Sequence, residues 1–388
     1  MNRRDFLQRT AAVATSLGVF PAMRGWKMSG PDTPLFEEND VYVAGDGYPT
    51  YRIPAVVVTR EGTILAFAEG RASQSDASQN DLVLRRSLDG GRSWTPIQVL
   101  AEDGANVLVN PTAVVLDTGR VLLMYQRYPH GFHEREVEPG YTGDRICRSY
   151  LMHSNDDGVS WSAPREITRS VKRPTGVTSI ASGPGIGIQL QYGPHAGRIL
   201  MPFNEGPWGA WNVYAVYSDD DGETWQYGET APKNATGHPN EVQMIERTDG
   251  TVLLNARSIG GVRRRKSAIS RDGGHTWTSL RDVDVLVEPE CQGTIIRYDT
   301  PLVAGKDVYL FANPASTEAR VNGTVRLSYD GGETWPVART VYAGPFAYSC
   351  LTVLPDGTIG LLYERDGYER ITFARFNLAW LTEGKDAP

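Results

Sequence analysis

The chain has 388 residues, of which 40% are hydrophobic and 10% are aromatic, and it carries a formal net charge of −7. This composition supports a large hydrophobic core, and the acidic balance gives no reason to expect nucleic acid or an anionic membrane as a partner. The three cysteines, Cys147, Cys291 and Cys350, form no CxxC pair and no zinc spacing. We therefore expect three unpaired, mostly buried thiols and no metal site.

The first 30 residues read as an export signal followed by a linker. Arg3 and Arg4 precede an apolar run of small residues that extends over residues 11–22. This is the form of a twin-arginine signal, although a Sec-type signal or a membrane tether stays open. The run is shorter than the roughly 20 apolar residues that a membrane span needs. The sequence thus predicts an exported bacterial protein, periplasmic or secreted, with no membrane span in the mature chain.

One eight-residue pattern, Ser-x-Asp-x-Gly-x-Ser/Thr-Trp, dominates the rest of the chain. Its five copies run over residues 87–94, 154–161, 218–225, 270–277 and 328–335. The Asp can accept hydrogen bonds from backbone N–H groups, and the Gly permits a positive φ. We expect a hairpin turn in each copy, with the Trp packed onto its own sheet, and we assign these turns no catalysis.

Between the copies, β-rich runs alternate with tight turns, as in Ala113–Leu116, Asp117–Gly119 and Val121–Tyr125. Long helical periodicity is almost absent after the signal. The copies start 52 to 67 residues apart, which leaves room for four strands in each unit. The sequence therefore predicts an all-β fold, a six-bladed β-propeller of four-stranded antiparallel blades over residues 36–382.

Three polar or aromatic segments do not fit this repeat. Residues 128–150 are expected to form an insertion over one face. Trp208 and Trp211 lie in a Gly- and Pro-containing segment that either lines a sugar site or packs locally. The basic run Arg263–Lys266 is expected to be a solvated turn between strands.

Several short segments, together with the five repeats, resemble the sialidase (neuraminidase) superfamily, and the resemblance covers nearly the whole mature chain. They are Tyr51-Arg52-Ile53-Pro54, Asn255-Ala256-Arg257-Ser258, Asn313-Pro314 leading to Arg320, and Tyr348-Ser349. In this superfamily the repeats are known as Asp-boxes. The Arg-Ile-Pro segment combined with Asp-boxes is specific for the superfamily. The resemblance implies an exo-α-sialidase, a glycoside hydrolase.

The resemblance implies that Arg52, Arg257 and Arg320 bind the carboxylate of sialic acid. Guanidinium suits this role because it is always charged, planar and able to bind a carboxylate through two hydrogen bonds. Arg71 is expected to add positive charge nearby. Glu364 matches the carboxylate that orients Arg52, although Arg71 and Glu364 could both be plain surface ions instead.

The catalytic residues implied by the resemblance are Tyr348, Glu241 and Asp76. A carboxylate nucleophile would be repelled by the substrate's own carboxylate, and sialidases use Tyr instead. Tyrosine has a pKa near 10, so Tyr348 needs a neighbouring base, for which Glu241 is the match. Asp76 matches the acid/base on a loop, with Asp81 as a less favoured competitor.

The function implied is release of terminal α-linked sialic acids from glycans or glycoconjugates with retained configuration, without a metal or organic cofactor. Three alternatives stay open. The chain could hydrolyse or transfer a related nonulosonic acid such as a deaminated sialic acid. It could be a carbohydrate-binding propeller without catalysis, or an Asp-box hydrolase for another anionic substrate.

Overall fold

A computed structural model describes residues 33–384, so the export signal predicted for residues 1–30 lies outside the described residues. The first twelve strands are β1 (Phe36–Val43), β2 (Thr50–Val58), β3 (Ile64–Arg71), β4 (Asn80–Ser87), β5 (Gln98–Ala101), β6 (Val107–Val115), β7 (Val121–Tyr128), β8 (Arg148–Ser154), β9 (Arg165–Glu166), β10 (Ile180–Ser182), β11 (Gly185–Ile186) and β12 (Ile188–Gln189).

The remaining strands are β13 (Ile199–Glu205), β14 (Asn212–Ser218), β15 (Gln226–Tyr227), β16 (His238–Glu246), β17 (Val252–Ile259), β18 (Arg264–Ser270), β19 (Arg281–Val287), β20 (Thr294–Arg297), β21 (Tyr309–Pro314), β22 (Val321–Ser328), β23 (Val337–Val353), β24 (Ile359–Arg365) and β25 (Arg370–Phe376). The helical segments are α1 (Thr168–Val171), α2 (Leu378–Leu381) and the 3₁₀ turns Glu134–Glu136, Gly193–His195 and Pro301–Val303. The predicted all-β class is confirmed. Within residues 33–384, no helix is long and apolar enough to cross a membrane.

Most strands pair antiparallel with the next strand along the chain, as β2-β3-β4-β5, β6-β7-β8-β9, β13-β14-β15 and β16-β17-β18-β19 do. The 17-residue strand β23 changes partner midway, because residues 337–345 pair with β22 and residues 346–353 pair with β24. β1 pairs with β25, which joins the first described strand to the last. The number of blades stays a prediction.

Three strands that begin such runs, and one half of β23, share an irregularity. β2, β6, β16 and the second half of β23 each contain a register shift, at residues 52–55, 109–112, 239–242 and 346–349. A β-bulge of this kind bends the strand and redirects its side chains. The shifts fall at Arg52, Glu241 and Tyr348, so the strand geometry is altered where the sequence places site residues.

The Asp-boxes form the hairpin turns that the sequence predicts. In the second copy, Asp156 accepts hydrogen bonds from the Ser160 N–H at 2.9 Å and the Ser160 hydroxyl at 2.5 Å. The N–H of Gly158, whose φ is +76°, donates to Ser154 Oγ at 3.0 Å. The other four copies repeat these bonds. Each turn therefore satisfies its backbone N–H groups with its own side chains.

The expected packing of the Asp-box Trp onto its own sheet was wrong for the first copy. Trp94 meets Phe373 of a different sheet, with ring centroids 5.5 Å apart, and Trp161 meets Phe67 of the preceding strand run at 5.8 Å. Edge-to-face pairs at these distances are favourable. The indole rings of these two copies therefore contact neighbouring strand runs, because each Asp-box turn lies at the boundary where the next run begins.

The expectation of a solvated turn at Arg263–Lys266 was also wrong. Arg264–Ser270 is strand β18, and the side chains of Arg265 and Lys266 are fully buried. Arg265 pairs with Glu288 at 3.4 Å, and Lys266 pairs with Asp282 at 2.8 Å. Buried charges are tolerated when they are paired and hydrogen-bonded. The three cysteines are free and buried, as expected.

We predict that the Asp-boxes make the protein sensitive to acid. Hydrogen bonds from the Ser160 hydroxyl and N–H lower the pKa of Asp156 to about 2. A carboxyl group with a lowered pKa contributes stability above its unfolded pKa of roughly 4, and this contribution is lost as the pH falls toward the folded value. Asp156→Asn should lower the thermal midpoint at pH 7 and flatten its decrease between about pH 4 and pH 2.

The control for this measurement is Asp144→Asn, at an exposed loop aspartate. Thermal midpoints of the three proteins across this pH range give the comparison. An Asp156→Asn curve parallel to that of the wild type would contradict the contribution of the box carboxylate.

Candidate active site

The structure brings the eight predicted site residues together. A cleft of about 230 Å³ is lined by Arg52, Arg71, Asp76, Glu241, Arg257, Arg320 and Tyr348. Glu364 is fully buried and contacts this set. These residues come from β2, β3, the loop after β3, β16, β17, the segment before β22, β23 and β24. The cleft is thus assembled from segments spread over the whole described chain.

Glu364 is the buried centre of one side of the cleft. Its Oε1 accepts hydrogen bonds from Arg52 Nε at 3.1 Å and from the Ile53 N–H at 2.8 Å. Its Oε2 accepts from Arg52 Nη2 at 3.3 Å and from the Tyr348 N–H at 3.0 Å. Ile53 has a φ of +61°, a strained value for a β-branched residue. The carboxylate therefore holds β2 and β23 together at their bulges.

The Tyr348 hydroxyl lies between a carboxylate and a guanidinium. It donates a short hydrogen bond to Glu241 Oε1 and accepts one from Arg257 Nη1 at 3.0 Å. Arg257 Nη1 also donates to Glu241 Oε2 at 2.8 Å. Burial and the charge of Glu241 raise the pKa of Tyr348, and the nearby arginines oppose this shift without reversing it. The phenol is therefore protonated at neutral pH, with a proton acceptor in contact.

Two further guanidinium groups lie beside the same ring. Arg52 Cζ is 4.9 Å from the centroid of the Tyr348 ring, and Arg320 Cζ is 5.4 Å from it. Arg52 pairs with Glu364, and Arg257 pairs with Glu241. Arg320 forms no salt bridge with any carboxylate among residues 33–384, and its Nη2 donates to the Glu290 carbonyl at 3.2 Å. The cleft thus has positive charge available for an anionic group.

Asp76 lies on the loop after β3 and faces two of the arginines. Its Oδ1 accepts from Arg71 Nη1 at 2.8 Å and from Arg52 Nη1 at 3.4 Å, while 63% of its side chain is exposed. Burial raises the pKa of Asp76, but Arg71 and Arg52 outweigh this and leave the pKa below its ordinary value. The competitor Asp81 lies within β4, where it accepts from the Tyr48 hydroxyl at 2.8 Å.

Arg71 depends on a carboxylate that the sequence analysis did not single out. Glu69 is fully buried and accepts from Arg71 Nε at 2.7 Å and from the Asn110 N–H at 2.7 Å. Burial raises the pKa of Glu69. Glu69 and Arg71 are two apart on β3, so strand alternation puts them on the same face. The two-residue spacing of Glu69 and Arg71 was the sequence signal that could have identified Glu69 as the partner of Arg71.

Two of the three segments that did not fit the repeat meet at the rim of the cleft. His133 and Glu134 of the 128–150 insertion line it, together with Trp208 and Trp211. Trp211 is buried and its Nε1 donates to Glu134 Oε1 at 2.7 Å, whereas Trp208 is 45% exposed. Burial raises the pKa of Glu134. The contact of Trp211 with Glu134 agrees with the interpretation of local packing. The indole rings of Trp208 and Trp211 also line the cleft, as the interpretation of a sugar site requires.

Apart from Arg320, the charged side chains among the eight predicted site residues form ion pairs within the site. Among the residues that the structure describes, no group of three or more His, Cys, Asp or Glu side chains could hold a metal ion. The chemistry available on the chain itself is that of guanidinium, carboxyl and phenol groups, with the His133 imidazole at the rim.

Known proteins are similar to this chain in sequence and fold. A family model described as "BNR repeat-like domain" matches residues 62–361. The chain is 38% identical to a protein named Sialidase from Micromonospora viridifaciens, across 95% of this chain and 58% of that protein. It is 31% identical to a protein named Sialidase from Bacteroides fragilis, across 83% of this chain and 61% of that protein. The solved structure of Hadza microbial sialidase Hz136 matches with a TM-score of 0.80 and 31% identity, across 89% of this chain and 69% of that chain.

The fold and the matched repeats define a β-strand protein of the BNR-repeat class. More particularly, the chain belongs to the sialidase family. It spans 58% and 61% of the lengths of the two curated relatives named above.

We predict that Glu364→Gln destabilises the protein by about 3–5 kcal/mol, the usual cost of breaking a buried ion pair. The amide nitrogen cannot accept a hydrogen bond, so Arg52 loses one of its two bonds, and either the Ile53 N–H or the Tyr348 N–H loses its acceptor. The control is Asp117→Asn, which breaks an ion pair with Arg60. The side chain of Asp117 is 54% exposed and that of Arg60 is 55% exposed. An exposed pair contributes at most about 1 kcal/mol. Denaturant unfolding that gave equal losses for the two variants would contradict the role of Glu364.

Proposed function

We propose that this chain is an exo-α-sialidase that hydrolyses terminal α-linked sialic acids from glycans or glycoconjugates with retention of configuration. The observation that carries the proposal is the hydrogen bond from the Tyr348 hydroxyl to Glu241, in a cleft with three guanidinium groups beside the same ring. The names of the two relatives support the substrate class.

The proposal includes the architecture and the destination of the protein. Residues 36–382 form a six-bladed catalytic propeller, with β1 completing the last blade beside β25. The sequential antiparallel pairing, the change of partner within β23 and the β1–β25 ladder support this arrangement. Residues 1–30 direct export to the periplasm or the medium, and the Arg3-Arg4 pair supports this.

Substrate binding uses the positive charge around Tyr348. The carboxylate on the anomeric carbon pairs with Arg52, Arg257 and Arg320, which are fixed before binding by Glu364, Glu241 and the Glu290 carbonyl. Preorganised charges of this kind cost little reorganisation when the ligand arrives. The carboxylate thus places the anomeric carbon beside the Tyr348 hydroxyl.

The first chemical step breaks the glycosidic bond. Asp76, protonated in the complex, gives its proton to the leaving oxygen as the C–O bond breaks through an oxocarbenium-like state. Glu241 takes the proton of the Tyr348 hydroxyl while the phenolic oxygen bonds to the anomeric carbon. The products are the free alcohol and a sialyl–tyrosine, with Asp76 ionised and Glu241 protonated.

The second step reverses these roles. Asp76 removes a proton from water, whose oxygen attacks the anomeric carbon, and the bond to Tyr348 breaks. The phenolate regains its proton from Glu241. Two displacements at one carbon give net retention, and every proton returns to its starting group.

The direct test is release of fluorophore from an aryl α-sialoside by the purified mature chain. Glu241→Gln should lower kcat by roughly 10²–10⁴-fold, the usual contribution of a general base, and Tyr348→Phe should lower it further. The control is Tyr298→Phe, which removes a hydroxyl that donates to the Gly357 carbonyl at 2.7 Å, and it should keep full turnover. Full turnover by Tyr348→Phe would contradict the nucleophile.

A folded wild type without turnover would contradict the sialidase proposal. Turnover of a related nonulosonic acid glycoside in its place would favour that substrate class. Binding of sialylated glycan without any release would favour a carbohydrate-binding propeller.

We further predict a difference between the pH profiles of kcat/KM and kcat. In the free protein, Arg71 and Arg52 keep the pKa of Asp76 low despite burial. The bound carboxylate offsets part of this positive charge and substrate covers the exposed side chain, and both effects raise the pKa of the acid. The alkaline limb of kcat, which reports the complex, should therefore lie at higher pH than the alkaline limb of kcat/KM.

Asp76→Asn checks the assignment of that limb. The variant should lose roughly 10²–10⁴-fold in kcat on a sialyl-galactoside, whose leaving group needs a proton, and much less on an aryl sialoside with an acidic phenol. Equal losses on the two substrates would contradict the acid role of Asp76.

A further inference from the structure

Tyr368 is held in a strained backbone conformation close to the cleft. It lies in the hairpin between β24 and β25, where Asp366, Gly367 and Tyr368 have φ values of +55°, +68° and +74°. Positive φ is ordinary for Gly, but it is an outlier for a bulky aromatic residue. Such strain persists only where the surrounding structure imposes it, and it is concentrated at functional sites. The contacts of Tyr368 show what imposes it here.

The side chain of Tyr368 contacts two of the three arginines. Its ring centroid is 4.4 Å from Arg52 Cζ, and its hydroxyl accepts a hydrogen bond from Arg320 Nη1 at 3.1 Å. Arg320 is the arginine without a carboxylate partner among the described residues, so its side chain is placed by this bond and by the Glu290 carbonyl. The phenol therefore joins two like charges that would otherwise repel each other.

The position of Tyr368 indicates an indirect role. It packs against the buried cluster of Ile53, Cys291, Ala347 and Tyr348, and it is not among the residues that line the cleft. A guanidinium group above a phenol ring, and a second one bonded to the phenol oxygen, are both attracted to the negative parts of the same side chain. One residue can thus set the separation of the two guanidinium groups.

We propose that Tyr368 is a positioning residue that fixes Arg52 and Arg320 at the separation required by the substrate carboxylate. The inference rests on the proposed sialidase function. Without the phenol, Arg320 has to be ordered by the ligand itself, and part of the binding free energy is spent on that ordering. The loss falls on ground state and transition state alike, so it appears mainly in KM.

The test compares Tyr368→Phe with Tyr368→Gly on an α-sialoside reporter. Tyr368→Phe removes only the oxygen that accepts from Arg320, and it should raise KM about ten-fold with a smaller change in kcat. Tyr368→Gly removes both contacts and also the backbone strain, so it should raise KM further while the thermal midpoint stays equal or rises. Tyr298→Phe, at a tyrosine that does not line the cleft, is the control and should leave KM unchanged.

A positioning role predicts that Tyr368→Gly weakens substrate affinity while the thermal midpoint stays equal or rises. Ordinary packing predicts that affinity and thermal midpoint both decrease. A Tyr368→Gly variant that loses thermal stability, beside a Tyr368→Phe variant with unchanged KM, would overturn the inference. Absence of turnover by the folded wild type would instead contradict the proposed function, so the two failures are distinguishable.

Discussion

Positive charge is concentrated around the ring of Tyr348, and the rest of the site compensates for it. Arg52, Arg257 and Arg320 would repel one another at these distances, and the repulsion is strong away from bulk water. Glu364 and Glu241 each pair with one of these guanidinium groups. Arg320 has no carboxylate partner among the described residues, which leaves its positive charge without an ion pair beside the phenol. The carboxylate of a bound ligand would offset this remaining positive charge.

The strand architecture explains how distant segments of the chain meet with this accuracy. Side chains of the site lie at bulges in β2, β16 and β23, where the strands bend. The strained backbone of Ile53 is held by a hydrogen bond to the same Glu364 that holds Arg52. The Asp-box residues are not among those that line the cleft, so turn stability and chemistry are carried by different parts of each unit.

The features that could be predicted from the sequence are those encoded locally. The Asp-box bonds lie within eight residues, so Asp156 and Ser160 were predictable from their spacing alone. The convergence of Arg52, Glu241 and Tyr348 was predictable only through motifs. Arg265 and Lys266 were misjudged because their partners Glu288 and Asp282 lie 16 to 23 residues away on the chain.

Tyr368 was missed for a related reason. Its contacts with Arg52 and Arg320 depend on a positive φ and on segments far apart in the sequence, neither of which a motif records. The dipeptide Asp366-Gly367 predicts a hairpin turn, but it does not predict which side chain of the turn points toward the site.

The central claim is that the Tyr348 oxygen bonds to the anomeric carbon, and trapping that bond tests it most directly. A fluorinated sialosyl fluoride slows release of the covalent intermediate, because fluorine beside the anomeric carbon disfavours the oxocarbenium-like state. Mass spectrometry of the treated protein and its peptides then locates the adduct. The account predicts one sialyl group on the peptide that contains Tyr348 and none on Tyr348→Phe. An adduct on Glu241, or turnover of the ordinary substrate without any adduct, would contradict it.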